Sequence, residues 1–332
     1  MSCLNPLKVT VSPFLDREGK HKLIFGYFQE MVNPADGSMA EHYLIPCGHC
    51  SECQKARRRE WSDRLSLEAS IYKPSEVYFL TLTYDDAHID LCGQSKTGLY
   101  NLNYEHFREF TKQLRLFYQN CYKPMFDGFV AVPDKFRFFL CGEYGDHTFR
   151  PHAHVISFGL DFLSTPGAVS LCNRSGAEIF HVPLFGDLWP YGHVDCCRAQ
   201  PGSFRYVAGY VLKKLDKLDK YDSLGLVPER AIMSKKPAIG VPFFEANKDL
   251  IRETGVYIDP FDGSMRDIPR FALRSVFADD PGFVAIVNNR KRSKADRRLS
   301  FLDQFYGERA EDAQRAIAEA EARTLRPNHR SL

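Results

Sequence analysis

Residues 136–158 read FRFFLCGEYGDHTFRPHAHVISF and contain two short runs rich in apolar and aromatic residues, Phe136–Glu143 and His152–Phe158. The polar segment Tyr144–Pro151 between them contains glycine, aspartate and proline, which are typical of turns. Two such runs joined by a short polar segment predict an antiparallel β-hairpin. On each strand of this hairpin, side chains two residues apart point to the same face of the sheet.

Further apolar runs on both sides of the hairpin predict the rest of a central sheet. Val77–Tyr84 is rich in β-branched and aromatic residues and lies between Pro74 and Asp85, as expected of a strand. Asn103 suits a helix N-cap, and apolar residues recur at helical spacing after it. The other predicted elements are a basic helix over 54–72, a strand over His193–Cys197 and a helix from Ser203 to about Lys220. This order predicts an α+β fold with a mostly antiparallel central sheet flanked by helices.

The chain is predicted to have three regions. Residues 1–74 form a Cys-rich, basic N-terminal region, residues 75–222 form the core with the sheet, and residues 223–332 form a C-terminal region. The C-terminal region contains the basic run Arg290–Lys294 and ends in a helical extension around Glu308–Arg323, whose apolar side is weak.

The composition limits the classes of partner that the protein can have. Of the 332 residues, 44% are hydrophobic and 26% are charged, and 26 Phe and 16 Tyr supply ample core material, which excludes disorder throughout. Apolar runs are far shorter than the ~20 residues of a membrane span, and no secretory signal is visible. We therefore expect a cytoplasmic protein with no membrane partner. Lys and Arg exceed Asp and Glu by only 2 (44 against 42), so a nucleic-acid surface must be a local patch.

His152 and His154 form a candidate metal site on the second strand of the hairpin. Because they are two residues apart, both imidazoles project from one face and could hold one divalent cation. With a symmetric turn, Glu143 lies opposite His152 and adds a carboxylate, which gives mixed nitrogen and oxygen ligands suited to Mn²⁺ or Mg²⁺. Glu68 or an aspartate near Val77–Tyr84 is the alternative third ligand. The other interpretation is a pair of partly buried histidines that bind no metal.

Tyr206, Tyr210 and Lys213 form a second candidate site on the predicted helix after Ser203. Spacings of four and three residues place these side chains on one stripe of a helix. A lysine ammonium group favours the phenolate form of a tyrosine and stabilises a phosphoryl group, as phosphoryl transfer to tyrosine requires. The alternative is a pair of amphipathic tyrosines beside the core-facing side of the helix.

Cys47, Cys50 and Cys53 lie at spacings that suit a structural zinc site. A fourth ligand is required, either His49 or a distant residue. The distant candidates are Cys172, Cys196 and Cys197. Ten cysteines in a chain without a secretory signal do not indicate a disulfide framework, so structural Zn²⁺ is weighed against three reduced, locally packed cysteines.

Two basic segments are candidate DNA-binding surfaces. Arg57 and Arg58 lie on the predicted helix after the cysteines, and contact with phosphates is weighed against an ordinary solvated helix face. The basic run near the C-terminus offers a denser patch of cations. The remaining DNA-binding candidates are Lys214, Arg290, Lys291 and Arg292.

Three motifs follow one another along the chain: Phe79–Tyr84, then Cys141–Gly145 with Arg150–His154, then Tyr206 and Tyr210 followed by two lysines. This order resembles the replication initiators of microviruses, which are small single-stranded DNA phages, and the gokushovirus-type branch in particular. Those initiators belong to the HUH endonuclease superfamily. The resemblance covers roughly residues 45–245. Gly209 departs from it, because the family often has lysine directly before its second tyrosine.

The resemblance implies an HUH-type endonuclease core over residues 75–222. It implies that His152 and His154, with Glu143 as the third ligand expected from the hairpin, hold Mg²⁺ or Mn²⁺ at the scissile phosphate. It also implies that Tyr206 and Tyr210 are nucleophiles assisted by Lys213. The implied reaction is metal-dependent nicking of a viral origin through a 5′-phosphotyrosyl intermediate, followed by strand transfer and ligation that circularise the genome.

The implied partners are the single-stranded and replicative-form DNA of a phage. A helicase and a DNA polymerase would come from the bacterial host, in whose cytoplasm the protein would act. No Gly-x-x-x-x-Gly-Lys-Ser/Thr loop of a helicase is visible in the sequence. Two alternatives stay open, namely a non-catalytic, Cys-rich DNA-binding protein and a plasmid relaxase or transposase of the same superfamily.

Overall fold

The structure is a computed structural model that describes residues 3–126, 133–145, 148–172, 178–216, 218–307 and 316. The side chains of residues 172 and 211–220, and of several residues between 295 and 306, are outside the description. The described strands are β1 (Leu7–Leu15), β2 (His21–Phe25), β3 (Glu41–Ile45), β4 (Val77–Tyr84), β5 (Arg137–Tyr144), β6 (Pro151–Phe158), β7 (Val169–Cys172), β8 (Glu178–His181), β9 (Gly192–Arg198), β10 (Ala231–Met233), β11 (Val256–Ile258) and β12 (Met265–Asp267). The described helices are α1 (Ser51–Ala69), α2 (Tyr104–Phe117), α3 (Lys123–Phe126), α4 (Leu184–Leu188), α5 (Pro201–Asp216), α6 (Leu218–Leu224), α7 (Val241–Ala246), α8 (Lys248–Thr254), α9 (Arg270–Ser275) and α10 (Pro281–Tyr306).

Five strands form the central sheet, in the order β10-β5-β6-β4-β9, and every neighbouring pair is antiparallel. The hairpin of β5 and β6 forms as predicted. Its register is symmetric about the turn and pairs Glu143 with His152 and Cys141 with His154. Helices pack on both faces of the sheet. The predicted α+β fold, with an antiparallel sheet flanked by helices, is therefore confirmed.

The two faces of the sheet bury different side chains, because successive residues of a strand point to opposite sides. On the first face, Leu80, Leu82 and Val155 are fully buried in one apolar cluster with Phe107 and Phe110 of α2. The second face packs against α1 and α5. Its buried apolar members are Leu65, Ala69, Phe139, Ile156, Phe158, Phe204 and Val207. Each fully buried side chain of this size contributes about 1.5–3 kcal/mol to the stability of the fold.

Helix α2 begins where the sequence predicts it. The side-chain oxygen of Asn103 accepts hydrogen bonds from the backbone nitrogens of Glu105 and His106 at 3.1 and 3.3 Å. Such an N-cap satisfies backbone donors that have no partner inside the helix and contributes about 1 kcal/mol. The cap therefore fixes the start of the helix that covers the first face of the sheet.

The chain forms two compact units, Arg58–Val287 and Met1–Arg57 with Asn288–Leu332. The first unit contains the central sheet and a second apolar cluster formed by helices α7, α8 and α9 with the start of α10. The other unit contains a three-stranded antiparallel sheet in the order β2-β1-β3. The predicted three-region division stays a prediction. Among the described residues, no helix combines the length and the apolar character that crossing a membrane requires.

Some elements differ from the predicted ones. Helix α1 begins at Ser51, inside the cysteine motif, and α5 begins at Pro201, since proline is well tolerated in the first turn of a helix. The basic run Arg290–Lys294 lies inside α10. The helix predicted around Glu308–Arg323 lies outside the described residues except for residue 316, which is helical. The short strands of the Met1–Arg57 segment other than β2 were not predicted, because their pattern is interrupted by glycine and proline.

Candidate active site

Glu143, His152 and His154 form a close group on the second face of the sheet. Oε2 of Glu143 lies 3.2 Å from Nε2 of His152 and 3.0 Å from Nε2 of His154. Glu143 is 3% exposed and His154 is 5% exposed, whereas His152 is half-buried. The three residues offer one ligand atom each, and these atoms lie within 4.8 Å of one another. The hairpin register brings them together, since it places the carboxylate opposite the first imidazole.

Contacts on the far side of each ring orient the two imidazoles. Nδ1 of His152 lies 3.1 Å from the carbonyl oxygen of Arg150, which can only accept a hydrogen bond. Nδ1 therefore carries the proton of the neutral ring, and Nε2 presents its lone pair towards Glu143. Nδ1 of His154 lies 3.1 Å from Oγ1 of Thr81 on β4. A nitrogen lone pair that faces a carboxylate calls for a cation between them, either a proton or a metal ion.

The group fits a divalent metal ion by its donor atoms and by its spacing. Two imidazole nitrogens and a carboxylate oxygen suit Mn²⁺ and are compatible with Mg²⁺. With metal–ligand bonds of about 2.1 Å, two ligand atoms at right angles lie about 3.0 Å apart, and the observed separations are 3.0 and 3.2 Å. Glu68, the alternative third ligand, lies elsewhere: its carboxylate pairs with Arg137 and accepts the backbone N–H of Gly240 at 2.7 Å.

Tyr206 and Tyr210 of α5 lie against this group. Their ring centroids are 5.2 and 5.5 Å from that of His154 and 4.9 Å from each other. Tyr206 is 38% exposed, whereas Tyr210 is only 7% exposed. Burial, the hydrogen bond with Tyr206 and the nearby Glu143 carboxylate raise the pKa of Tyr210. Tyr210 is therefore a neutral phenol at neutral pH in this arrangement, and Tyr206 is the tyrosine that solvent and solutes can reach.

The sequence of α5 explains why both tyrosines face the metal-ligand group. Phe204, Val207 and Ala208 are at most 2% exposed and anchor the helix on the sheet. Tyr206 and Tyr210 are four residues apart, so their side chains are neighbours on the surface of the helix. Lys213 and Lys214 lie in the last turns of the same helix, and their side chains are outside the described part.

Gly209 of α5 leaves room for a cation from α1. A Cβ atom on Gly209 would lie 3.5 Å from the guanidinium group of Arg58. Nε of Arg58 donates a hydrogen bond to the carbonyl oxygen of Arg205 at 3.3 Å. Arg58 thus approaches the helix at the residue before Tyr210, where the sequence lacks the lysine expected from the resemblance. The sequence alone does not show this contact, because the two residues are far apart along the chain.

The segment that contains this site matches a known protein family. The sequence profile of the family described as Replication-associated protein ORF2 matches residues 77–215, which include the metal-ligand group and both tyrosines. Replication-associated protein ORF2 of Spiroplasma virus 4 is 27% identical over 323 residues, which are 93% of this chain and 91% of that protein. The chain is related to phage replication proteins. No solved structure matches it significantly.

Two further phage replication proteins match over less of their own length. Replication-associated protein ORF4 of Chlamydia phage 1 is 27% identical over 269 residues, 80% of this chain and 62% of that protein. Replication-associated protein VP4 of Bdellovibrio phage phiMH2K is 28% identical over 237 residues, 69% of this chain and 66% of that protein. The chain thus spans slightly less than two thirds of each of these two relatives. The resemblance inferred from the three motifs is confirmed.

The cysteine motif, which lies outside the family match, has a fourth member, Cys3. One sulfur atom from each of the four cysteines lies within 4.8 Å of the others. The Sγ atoms of Cys3 and Cys50 are 3.8 Å apart, and those of Cys47 and Cys53 are 4.0 Å apart. We call these four residues the cysteine cluster. It could bind a metal ion.

The fourth member is none of the residues proposed from the sequence. His49 is exposed and lies outside the cluster. Cys196 is buried in the central sheet, and the Cys197 thiol donates to the carbonyl oxygen of Phe79 at 3.7 Å. The side chain of Cys172 is outside the description. Cys3 joins the cluster because β1 pairs with β3, with Leu7 opposite Ile45, so residues before β1 run beside residues after β3. Predicting that strand pair would have revealed the fourth thiol.

The other predicted DNA-binding residues lie apart from the tyrosines in the chain. Arg57 is exposed on α1. Arg290 and Arg292 are exposed on α10, Lys291 is half-buried there, and the guanidinium of Arg292 lies 5.6 Å from the ring centroid of Tyr43. Their contact with DNA stays a prediction.

Proposed function

We propose that the protein is a metal-dependent DNA nickase and strand transferase that initiates rolling-circle replication of a single-stranded DNA phage. One observation carries the proposal: a buried group of two imidazoles and a carboxylate lies against a pair of helix-borne tyrosines, one exposed and one buried. The relationship to phage replication-associated proteins supports phage DNA as the substrate. That DNA would be the viral strand and its replicative form.

Glu143, His152 and His154 would hold Mg²⁺ or Mn²⁺, which supplies Lewis-acid polarisation of the scissile phosphate. The chain itself contributes orientation. The Arg150 carbonyl and the Thr81 hydroxyl fix the outer nitrogens of the two rings, so the inner nitrogens face the Glu143 carboxylate. Helix α5 holds both phenol groups beside His154, so neither tyrosine has to travel far to reach the same phosphate.

Tyr206 is assigned the first cleavage, because its side chain is the exposed one of the pair. Its phenolic oxygen bonds to phosphorus as the bond from phosphorus to the 3′ oxygen breaks, and that oxygen takes up a proton. The products are a 5′-phosphotyrosyl enzyme and a free 3′-OH that can prime synthesis. The phosphotyrosyl bond keeps the energy of the broken phosphodiester, so a later attack by Tyr210 and the final ligation need no ATP.

The remaining predicted residues are given supporting roles. Lys213 is proposed to stabilise the charge of the reacting phosphate and phenolate. Arg58, which contacts α5 beside Tyr210, and Lys214 are proposed to bind neighbouring phosphates, as are Arg57, Arg290, Lys291 and Arg292. A helicase and a DNA polymerase from the host bacterium would complete the replication cycle in its cytoplasm.

An SDS-stable adduct assay tests the proposal. Full-length protein is mixed with single-stranded origin DNA and Mn²⁺ or Mg²⁺, and H152A/H154A is compared with H193A, which alters an exposed histidine of β9. We expect a covalent adduct that requires the metal, is absent in H152A/H154A and is retained in H193A. Equal DNA binding with no adduct in any sample, with or without EDTA, would instead support the non-catalytic DNA-binding protein.

We propose further that the cysteine cluster holds structural zinc. Four thiolates are a common ligand set for structural Zn²⁺, and a tetrahedron with Zn–S bonds of about 2.3 Å has edges of about 3.8 Å. The observed sulfur separations of 3.8 and 4.0 Å agree with such edges. They are about twice the ~2.05 Å of a disulfide bond, so the cluster is not a pair of disulfides.

Backbone donors in the cysteine cluster support thiolate ligands. The N–H groups of Leu4, Cys47 and Cys50 each point to a sulfur atom, at 3.4, 3.2 and 3.3 Å. Burial acts to raise the pKa of the Cys50 thiol, but hydrogen bonds from the backbone of Cys53 and Leu4 outweigh it and the pKa falls to about 6. Gly48 has φ +81°, a conformation that favours glycine and turns the chain so that the Cys50 N–H meets Cys47.

Metal analysis of the purified protein tests the zinc proposal. We expect one zinc ion per chain in the wild type and in C121S, which alters an exposed cysteine outside the cluster, and a large loss of zinc in C3S. Replacement of the metal by Co²⁺ should give the absorption of tetrahedral thiolate coordination even if C3S fails to fold. Four titratable thiols with no bound metal would show that the cluster is merely reduced cysteine.

A further inference from the structure

A cavity of about 370 Å³ lies where β5 begins and β10 ends. Its wall carries an unusual number of cations. The charged and hydrogen-bonding side chains in the wall are Arg115, Gln119, Lys135, Arg137, Lys235 and Lys236. All of them lie within the unit Arg58–Val287. We call this feature the cationic cavity.

Arg137 is the buried member of this set, with only 5% of its surface exposed. Its Nε donates to Glu68, and its Nη1 donates to the carbonyl oxygen of Pro237 at 2.9 Å. Its Nη2 is buried and has no hydrogen-bond partner among the described residues. Leaving a buried donor of a charged group unsatisfied is costly, so this atom is expected to gain an acceptor from a ligand or from water.

The other cations of the cavity are not neutralised by nearby acidic side chains of the described ranges. Within the part of the chain that the structure describes, no carboxylate lies within ion-pair distance of Arg115, Lys135, Lys235 or Lys236. Glu68 pairs with Arg137, and its second oxygen already accepts the Gly240 N–H. Burial and the neighbouring Arg137 cation lower the pKa of Arg115, in keeping with crowded positive charge. An anion in the cavity would relieve this repulsion and satisfy Nη2.

The position of the cavity relates it to the candidate active site. Arg137 and Glu143 are both on β5, six residues apart, so their side chains project from the same face of the sheet. At about 3.4 Å per residue, they are separated by about 20 Å along the strand. That distance corresponds to about six stacked nucleotides at about 3.4 Å each. A strand of DNA held at the metal-ligand group can therefore reach the cationic cavity.

We propose that the cationic cavity binds a backbone phosphate of the substrate DNA strand, several nucleotides from the cleaved bond. Arg137 donates to the phosphate from the wall, and the lysines Lys235 and Lys236 supply charge at the rim. The cavity acts as a fixed second contact point that sets how the strand lies across the sheet. This inference rests on the proposed function for the identity of the ligand as single-stranded DNA.

Salt-dependent binding of a fluorescent single-stranded oligonucleotide tests the inference. The full-length K235Q/K236Q variant is compared with K96Q/K112Q, which removes the same charge from exposed lysines outside the cavity wall. Measurements are made in EDTA, so they do not depend on nicking. We expect K235Q/K236Q to bind several-fold more weakly at low salt. The slope of log K against log salt should fall by about 0.7 for each phosphate that the variant no longer neutralises.

The outcomes separate this inference from the proposed function. A slope equal to that of K96Q/K112Q would overturn it, even if the wild type nicks DNA. A reduced slope would support it, even if no adduct forms. If inorganic phosphate or a deoxynucleotide stabilises the wild type but not K235Q/K236Q, and the DNA slope is unchanged, the cavity binds a small anion and the DNA proposal is wrong. Should K235Q/K236Q not fold, R115Q, altered on the exposed face of α2, provides the same comparison.

Discussion

Removing the hydroxyl group of either tyrosine should have different consequences, because the two side chains differ in burial. Tyr206 is 38% exposed, so water can replace its hydroxyl contacts, and we expect Y206F to change the free energy of unfolding by no more than about 0.5 kcal/mol. Tyr210 is 7% exposed, and its hydroxyl interacts with Tyr206 and Glu143. Its loss leaves buried polar groups short of a partner, which costs about 1–2 kcal/mol.

The chemistry should show the reverse order. If Tyr206 attacks first, Y206F forms no adduct with a single origin oligonucleotide, whereas Y210F forms it at a near-normal rate. Y210F should then fail to transfer the strand to a second origin, because the second nucleophile is missing. In thermal unfolding with EDTA, Y210F should lose about 2–8 °C relative to the wild type, since 1 kcal/mol corresponds to about 2–4 °C in a domain of this size.

Tyr27 provides a matched control, because it is an exposed tyrosine of the other unit, at 56% exposure. Y27F should leave adduct formation, strand transfer and melting temperature unchanged. The reasoning from burial fails if Y210F abolishes the first adduct while Y206F retains it. It also fails if Y206F and Y210F lower the melting temperature by the same amount.

Three further substitutions have signs that follow from packing, each measured by urea unfolding. G209A should stabilise the protein by about 0.5–1 kcal/mol and keep adduct formation, because its Cβ meets the Arg58 guanidinium only at 3.5 Å, an ordinary contact; a destabilised G209A would contradict this. G142A should destabilise it by about 1–3 kcal/mol, because its Cβ would lie 2.8 Å from the buried Tyr104 hydroxyl, and an unchanged midpoint would refute the clash. E68Q should cost about 3–5 kcal/mol because it leaves the Arg137 cation buried without its partner, whereas the exposed E109Q should cost less than about 1 kcal/mol; similar losses in both would argue against the buried pair.

The hairpin and its register could be predicted from the sequence because both depend on neighbouring residues. A period of two along β6 places His152 and His154 on one face, and a short symmetric turn is enough to bring Glu143 opposite them. The same holds for the Asn103 cap and for the stripe of tyrosines on α5. In each case the determining contacts lie within a few residues of one another.

Contacts between distant segments could not be predicted in the same way. Cys3 reaches the cysteine cluster only because β1 and β3 pair, and neither strand has a clear alternation in the sequence. Arg58 reaches Gly209 only because α1 and α5 cover the same face of the sheet. The cationic cavity joins segments around residues 115, 135 and 235, whose proximity depends on the pairing of β5 with β10. These features follow from topology, which the local patterns did not define.

The two faces of the central sheet explain how buried polar ligands coexist with a stable core. The face towards α2 is occupied by apolar side chains such as Leu140 and Val155, so its contribution to stability does not depend on the chemistry. The face towards α5 carries the metal-ligand group, and α5 is anchored beside it by Phe204 and Val207. Because the same helix supplies both the apolar anchor and the tyrosines, loosening this anchor would displace the nucleophiles as well as weaken the fold. Stability and activity are therefore coupled on one face of the sheet and separable on the other.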